Sequence, residues 1–164
     1  MRTESLILAD VMDKTRQVSL FYFSQLQGKD LHKIFDSEGI KLNNAFWIIA
    51  HLAVTENFLL LRSTGGEIIK FGWAKQFGIG STVPEKADCP PLKEVLETSQ
   101  LVHQRSIDHI RSLTDEDLNK PTSTGVNFGG EDTVRSIIIH AIRHEGIHSG
   151  HLSWLCKLHG VKTI

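Results

Sequence analysis

Nine of the 164 residues are histidine, and five of them fall at positions 140, 144, 148, 151 and 159. Imidazole titrates near neutrality and is the commonest nitrogen ligand of transition metals. Helical residues advance by about 100° each, which gathers His140, His144, His148 and His151 with Ile137 and Leu155 on one apolar stripe. Burying several imidazoles is costly unless both ring nitrogens of each find partners. Two of them at i and i+4 can reach one metal ion from the same face. His144 and His148 have that spacing at the centre of the stripe. A third ligand has to come from another helix, and His51 is the candidate. It shares a stripe with Ile48, Thr55 and Leu59 in a segment that is apolar nearly all round, where a titratable group needs a reason. His140 and His151, at the margin of the stripe, are candidates for steadying the ligands through hydrogen bonds. Imidazole coordinates only when deprotonated, so affinity is expected to fall as pH drops through about 6.5. His32, His103, His109 and His159 read as ordinary.

His144-Glu145-Gly146-Ile147-His148 also satisfies the H-E-x-x-H pattern of zinc peptidases, in which the Glu is the base. Three features count against that chemistry. The extended pattern needs His at position 154, which is Trp. None of the sixteen residues after His148 is acidic, so no downstream carboxylate ligand is available. Glu145 projects near 140° on the same wheel, to the edge of the stripe. Gly65-Gly66 and Gly78-Ile-Gly80 do not build a phosphate loop. Cys156 reads as packing, and Cys89, before Pro90-Pro91, as exposed with nothing to activate it. Gly146 and Gly150 lie on the polar face with Ser149 and cost about 1 kcal/mol each against Ala. Close approach of another helix or subunit would explain them.

The elements that must position these groups are helices. The first is expected from about Ser5 to Leu26, with Leu8, Val11, Met12, Thr15, Val18 and Tyr22 repeating at three and four. The second runs from about Asn43 to Arg62 and ends at Ser63-Thr-Gly-Gly66, where Gly tolerates left-handed geometry. Residues 67–91 read as a long crossover with one short helical turn. The third helix spans about Leu92 to Leu113, using Val95, Leu96, Val102, Ile107 and Ile110. A polar, Gly-rich connection over Lys120–Glu131 leads to the fourth, from about Thr133 to His159, closed by Gly160. No segment alternates convincingly as a strand. The two halves echo each other, Leu26-Gln-Gly-Lys-Asp30-Leu matching Leu113-Thr-Asp-Glu-Asp117-Leu, as two related helical hairpins would. The expectation is an all-α, single-domain four-helix bundle over residues 1–164.

Composition bounds the function. A chain of 18.4 kDa leaves about 8,000 Å² exposed and buries roughly 70% of its unfolded surface, enough for a core without staples. Eighteen basic residues against nineteen acidic ones give −1, with no basic stripe, so nucleic acid and anionic membranes find no electrostatic support. Two cysteines make no disulfide framework and point to a reducing compartment. Met1–Asp13 lacks the pattern of a secretory signal, and no apolar run reaches spanning length. A cytoplasmic protein is expected.

Phe46-Trp-Ile-Ile-Ala-His51-Leu-Ala-Val-Thr-Glu56 and His144-Glu-Gly-Ile-His148-Ser-Gly-His151-Leu, in that order, with Leu-Thr-Asp-Glu-Asp-Leu at 113–118, resemble the DinB/YfiT-like metalloenzyme superfamily. The resemblance covers nearly the whole length. It implies up-down-down-up topology with the crossover between the second and third helices, and a divalent metal held by His51, His144 and His148. Some relatives, similar to mycothiol-dependent maleylpyruvate isomerase, carry Glu where this chain has His144, and others carry Gln in place of His151. The family implies homodimers and, among its activities, transferases that activate a low-molecular-weight thiol. Metal-dependent hydrolysis is the alternative reaction, and a non-catalytic metal-binding or interaction module the alternative class. A small-molecule substrate is the expected partner. Imidazole suits Zn, Ni, Fe and Cu alike, so the residues leave the ion open.

Overall fold

A computed structural model of the chain describes residues 2–163; Met1 and Ile164, the ends of the expected domain, lie outside the described residues. Four long helical segments dominate, and the class is all-α. Helix α1 (Glu4–Gln25) starts at Thr3, whose hydroxyl accepts from the Leu6 amide. Asn44 caps α2 (Ala45–Glu56) by accepting from the Trp47 amide. The same helix continues through a π turn over Asn57–Leu61 and a 3-10 turn over Arg62–Thr64. Gly65 ends it at φ +83°, the left-handed position expected for it. Helix α3 (Leu92–Ser112) and helix α5 (Val134–Leu158) match the expected third and fourth segments closely.

Three small elements were not expected. Residues Asp36–Ser37 (β1) and Ile40–Lys41 (β2) pair antiparallel across a turn in which Glu38 and Gly39 both have positive φ, the geometry of a two-residue hairpin. Helix α4 (Asp115–Asn119) forms where Thr114 and Asp117 make a reciprocal capping box. The crossover holds two 3-10 turns, Ala74–Phe77 and Lys86–Asp88, rather than one.

Side-chain pairings fix the direction of each neighbour. Glu4 meets Arg135, Arg16 meets Glu145 and Ser19 meets Ser149, so α1 and α5 run parallel. Glu56 meets His103 and Thr64 meets His109, so the second segment and α3 are also parallel. Arg16 with Ser99, and Asp13 with His103, set α1 and α3 antiparallel. The start of α2 shares an apolar cluster with Leu152, Leu155 and Cys156, and its far end, Leu59 and Leu60, shares another with Val134, Ile137 and Ile138. These two helices are therefore antiparallel.

A polar layer separates those two apolar clusters. It contains Arg16, Ser19, His51, Glu56, Ser99, Glu145, His148 and Ser149, all buried. Helix α1 reaches it on an unexpected face: Ser5, Ala9, Met12, Arg16, Ser19 and Phe23 are buried, whereas Val11 and Val18 are exposed. Ile7, Leu20 and Phe21 are exposed on this helix as well. Ser149 is likewise buried rather than on the solvent side, its hydroxyl 2.6 Å from that of Ser19. Contrary to the expectation that no apolar run reaches spanning length, Ala45–Thr64 is long and apolar enough to cross a membrane, but 78% of the tested window is buried inside the protein, as in a core helix.

Candidate metal centre

His51 is presented by α2, its ring stacked on Trp47 at 4.3 Å between centroids and nearly parallel to it. Trp47 is held in turn by its indole N–H, which donates to Ser81 Oγ at 3.3 Å. The crossover supplies the other restraint. Its Ala74–Phe77 turn brings the Phe77 carbonyl oxygen to 2.7 Å from His51 Nδ1. A carbonyl can only accept, so Nδ1 carries the proton and Nε2 keeps its lone pair. Asn57, at the start of the π turn, clamps the crossover to the helix by donating to the Ile69 carbonyl and accepting from its amide.

His144 and His148 arrive from α5 with ring centroids 4.6 Å apart. Each faces His51, at 5.2 Å and 5.0 Å respectively. One nitrogen from each of the three rings lies within 4.8 Å of the other two. His51 Nε2 and His144 Nε2 are 3.3 Å apart. A tetrahedral ion with bonds of about 2.0–2.1 Å sets its ligand nitrogens about 3.3 Å from one another. The donor set therefore fits a divalent ion: three neutral nitrogens, one tautomer already fixed by a backbone carbonyl, and no carboxylate or thiol in the group.

Electrostatics agree. Burial, and then the neighbouring imidazoles, push the His144 pKa down to about 4 and that of His148 down to about 3. Burial also lowers His51, opposed by its bond to Phe77. All three are neutral at pH 7 and available to coordinate.

The two marginal histidines serve different neighbours. His151 Nδ1 is 3.3 Å from His148 Nδ1, within hydrogen-bond reach of it. His140 stacks flat on Phe128 at 3.8 Å, accepts from Arg143 Nη2 at 3.3 Å, and does not touch the ligand nitrogens. Beside the three histidines lies a cavity of about 310 Å³ whose walls include Trp47, Thr55, Leu59, Ile79, Phe128 and His140. No Lys, Arg, Asp or Glu lines it. Thr55 bonds back to the His51 carbonyl at 2.8 Å, so its hydroxyl proton is taken.

Several expectations change. Glu145 is not at the edge of the histidine stripe but fully buried, turned away from the histidines toward Arg16. One of its oxygens accepts from Nη2 at 3.1 Å and the other lies 3.0 Å from Nε. Arg16 also donates to Glu56 at 2.5 Å and to Ser99 at 2.8 Å. His103, read as ordinary, extends this network, lying 2.8 Å from Glu56 and 3.2 Å from Asp13. Its signal in the sequence was Glu56, the lone acid inside an apolar helix, which had to find a buried cation. A Cβ at Gly146 or Gly150 would meet nothing within 4 Å, so no helix of this chain approaches them. Cys89 is half-buried rather than exposed, and burial raises its thiol pKa.

A family model described as the DinB superfamily matches residues 12–152, a span that includes all three clustered histidines. A search of curated proteins finds no match.

Proposed function

Because the chain belongs to the DinB superfamily, we propose that it is a metal-dependent enzyme whose ion is held by His51, His144 and His148. The observation that carries this reading is the convergence of three neutral ring nitrogens on one point beside an apolar cavity. The pairing directions of the helices support reading the fold as an up-down-down-up four-helix bundle, one domain built around that point. A divalent ion bound there supplies a Lewis acid that lowers the pKa of a coordinated thiol or water.

The preferred reaction is transfer of a low-molecular-weight thiol to a small electrophile; metal-dependent hydrolysis is the alternative. The cavity favours the transferase. Trp47, Leu59, Ile79 and Phe128 would hold an uncharged, largely apolar electrophile and exclude bulk water. Among the described residues no fourth His, Cys, Asp or Glu closes the group, unlike the four-ligand closure of a structural metal site. The two free cysteines support a reducing cytoplasm. The exposed apolar residues of α1 and α5 support a homodimer.

Cobalt-loaded protein tests the reaction class. Addition of cysteine, glutathione or coenzyme A should produce a thiolate-to-cobalt charge-transfer band, absent in His144→Ala. No band with any thiol, together with metal-dependent ester hydrolysis, would favour the hydrolase instead.

A further inference from the structure

One turn beyond His148, a second pocket of about 420 Å³ opens between α5 and the strand leaving the hairpin. Its walls are Leu42, Ile48, Trp154, Leu155 and Leu158, and its polar groups are Lys41, Asn43 and His151. Trp154 is 65% exposed, and the Lys157 ammonium lies 5.1 Å from its ring centroid, a second cation beside the pocket. Lys41 faces Asp36 across the ribbon, yet among the described residues the lysine ion pairs are those of Lys93 and Lys120. The pocket thus offers a flat apolar surface beside a lysine whose cross-strand neighbour, Asp36, accepts from the Gly39 amide and makes no ion pair with it.

His151 gives the pocket its direction. If His148 binds an ion through Nε2, its Nδ1 carries the proton and donates to His151 Nδ1. His151 Nδ1 is then the acceptor, and its Nε2, directed away from His148, is left as the donor. A carboxylate that accepts this N–H and pairs with Lys41 would complete a carboxylate–His151–His148 chain to the metal centre. We propose that this pocket binds a small carboxylate with a flat apolar body, separately from the cavity at the three histidines. Only the coupling to the metal rests on the three-histidine reading; the pocket itself does not.

The probe is 2-naphthoate, with 2-naphthamide as its uncharged counterpart, titrated calorimetrically into metal-free and zinc-loaded full-length protein. One naphthoate per chain should bind the metal-free protein about tenfold tighter than the amide. Lys41→Gln, on the exposed ribbon, should weaken naphthoate about fivefold and leave the amide unchanged. Trp154→Ala should weaken both. Zinc should tighten naphthoate by the factor by which naphthoate tightens zinc, as linkage demands, and His151→Phe should remove that coupling. Equal binding of the amide, or indifference to Lys41→Gln, would overturn the proposal. So would naphthoate binding seen only with zinc and abolished by His144→Ala, which would place the anion on the ion itself. If zinc does not bind at all, the three-histidine reading fails while the titration of metal-free protein still decides the pocket.

Discussion

His144 and His148 are the residues on which pH acts most directly. In the unfolded chain each takes a proton near pH 6.5, whereas in the folded chain they wait until about 4 and about 3. Between those values the unfolded state binds more protons, so stability falls as pH falls. The contribution is whole above about 6.5 and lost progressively toward the folded values. His103 works in the opposite sense. Burial opposes its charge, but the bond to Glu56 prevails and raises its pKa. Its contribution is whole below about 6.5 and lost as pH rises through the folded value. Urea midpoints of metal-free protein should therefore drop between about pH 6.5 and about pH 4, and the drop should shrink in a His144→Asn/His148→Asn double variant. An unchanged slope in that variant would show that other groups carry it. The same lowering moves proton competition with the metal below the pH 6.5 expected of free imidazole. Spacing alone pointed to the histidine pair at 144 and 148 that the fold brings beside His51, but the tautomer of His51 depends on a Phe77 carbonyl 26 residues away, which no local pattern encodes.

At the scale of helices, Arg16 is the rivet. It is fully buried on α1 and binds Glu56, at the end of the helix carrying His51, and Glu145, between the two histidines of α5. Arg16→Met would leave Glu145 buried without a countercharge and Glu56 with His103 alone, and should cost about 3–5 kcal/mol in urea unfolding. A loss near zero would mean that the cluster is solvated. Glu145→Gln keeps the shape and one acceptor, so it should lower the melting temperature yet leave metal stoichiometry nearly unchanged, and the wild type should cleave no peptides. Metal-dependent proteolysis abolished by that variant would reinstate Glu145 as a base. Helix positions were legible because α2, α3 and α5 carry apolar residues on the faces they bury. The buried face of α1 was not. Its core positions are Ser5, Ala9, Met12, Arg16, Ser19 and Phe23; Arg16 and Ser19 meet the polar layer and only Met12 and Phe23 are large and apolar, while Val11 and Val18 mark a stripe that faces outward. Periodicity finds the most apolar face, and here that face lies on the surface.

That outer surface is a property of the whole molecule. Ile7, Val11 and Val18 of α1 and Ile139 and Ile147 of α5 are all exposed, Ile147 by 58%. The chain exposes 9169 Å², more than the about 8,000 Å² expected of a free monomer of its mass. Gly146 and Gly150 are open between these residues, where a second copy could approach closely. Light scattering on wild-type protein should report a dimer, and Val11→Glu with Ile147→Glu should report a monomer; a wild-type monomer at every concentration would remove the homodimer. The candidate metal centre depends on the whole fold in a stricter sense, since His51 lies 93 residues from His144 along the chain. Its most direct test is metal stoichiometry by elemental analysis of untagged protein, wild type and five alanine variants, with circular dichroism confirming a helical fold. One divalent ion per chain is expected in wild type, sharp loss in His51→Ala, His144→Ala and His148→Ala, and smaller effects in His140→Ala and His151→Ala. Full metal in His51→Ala with loss in His140→Ala or His151→Ala would contradict the assignment and place the ion along α5 alone.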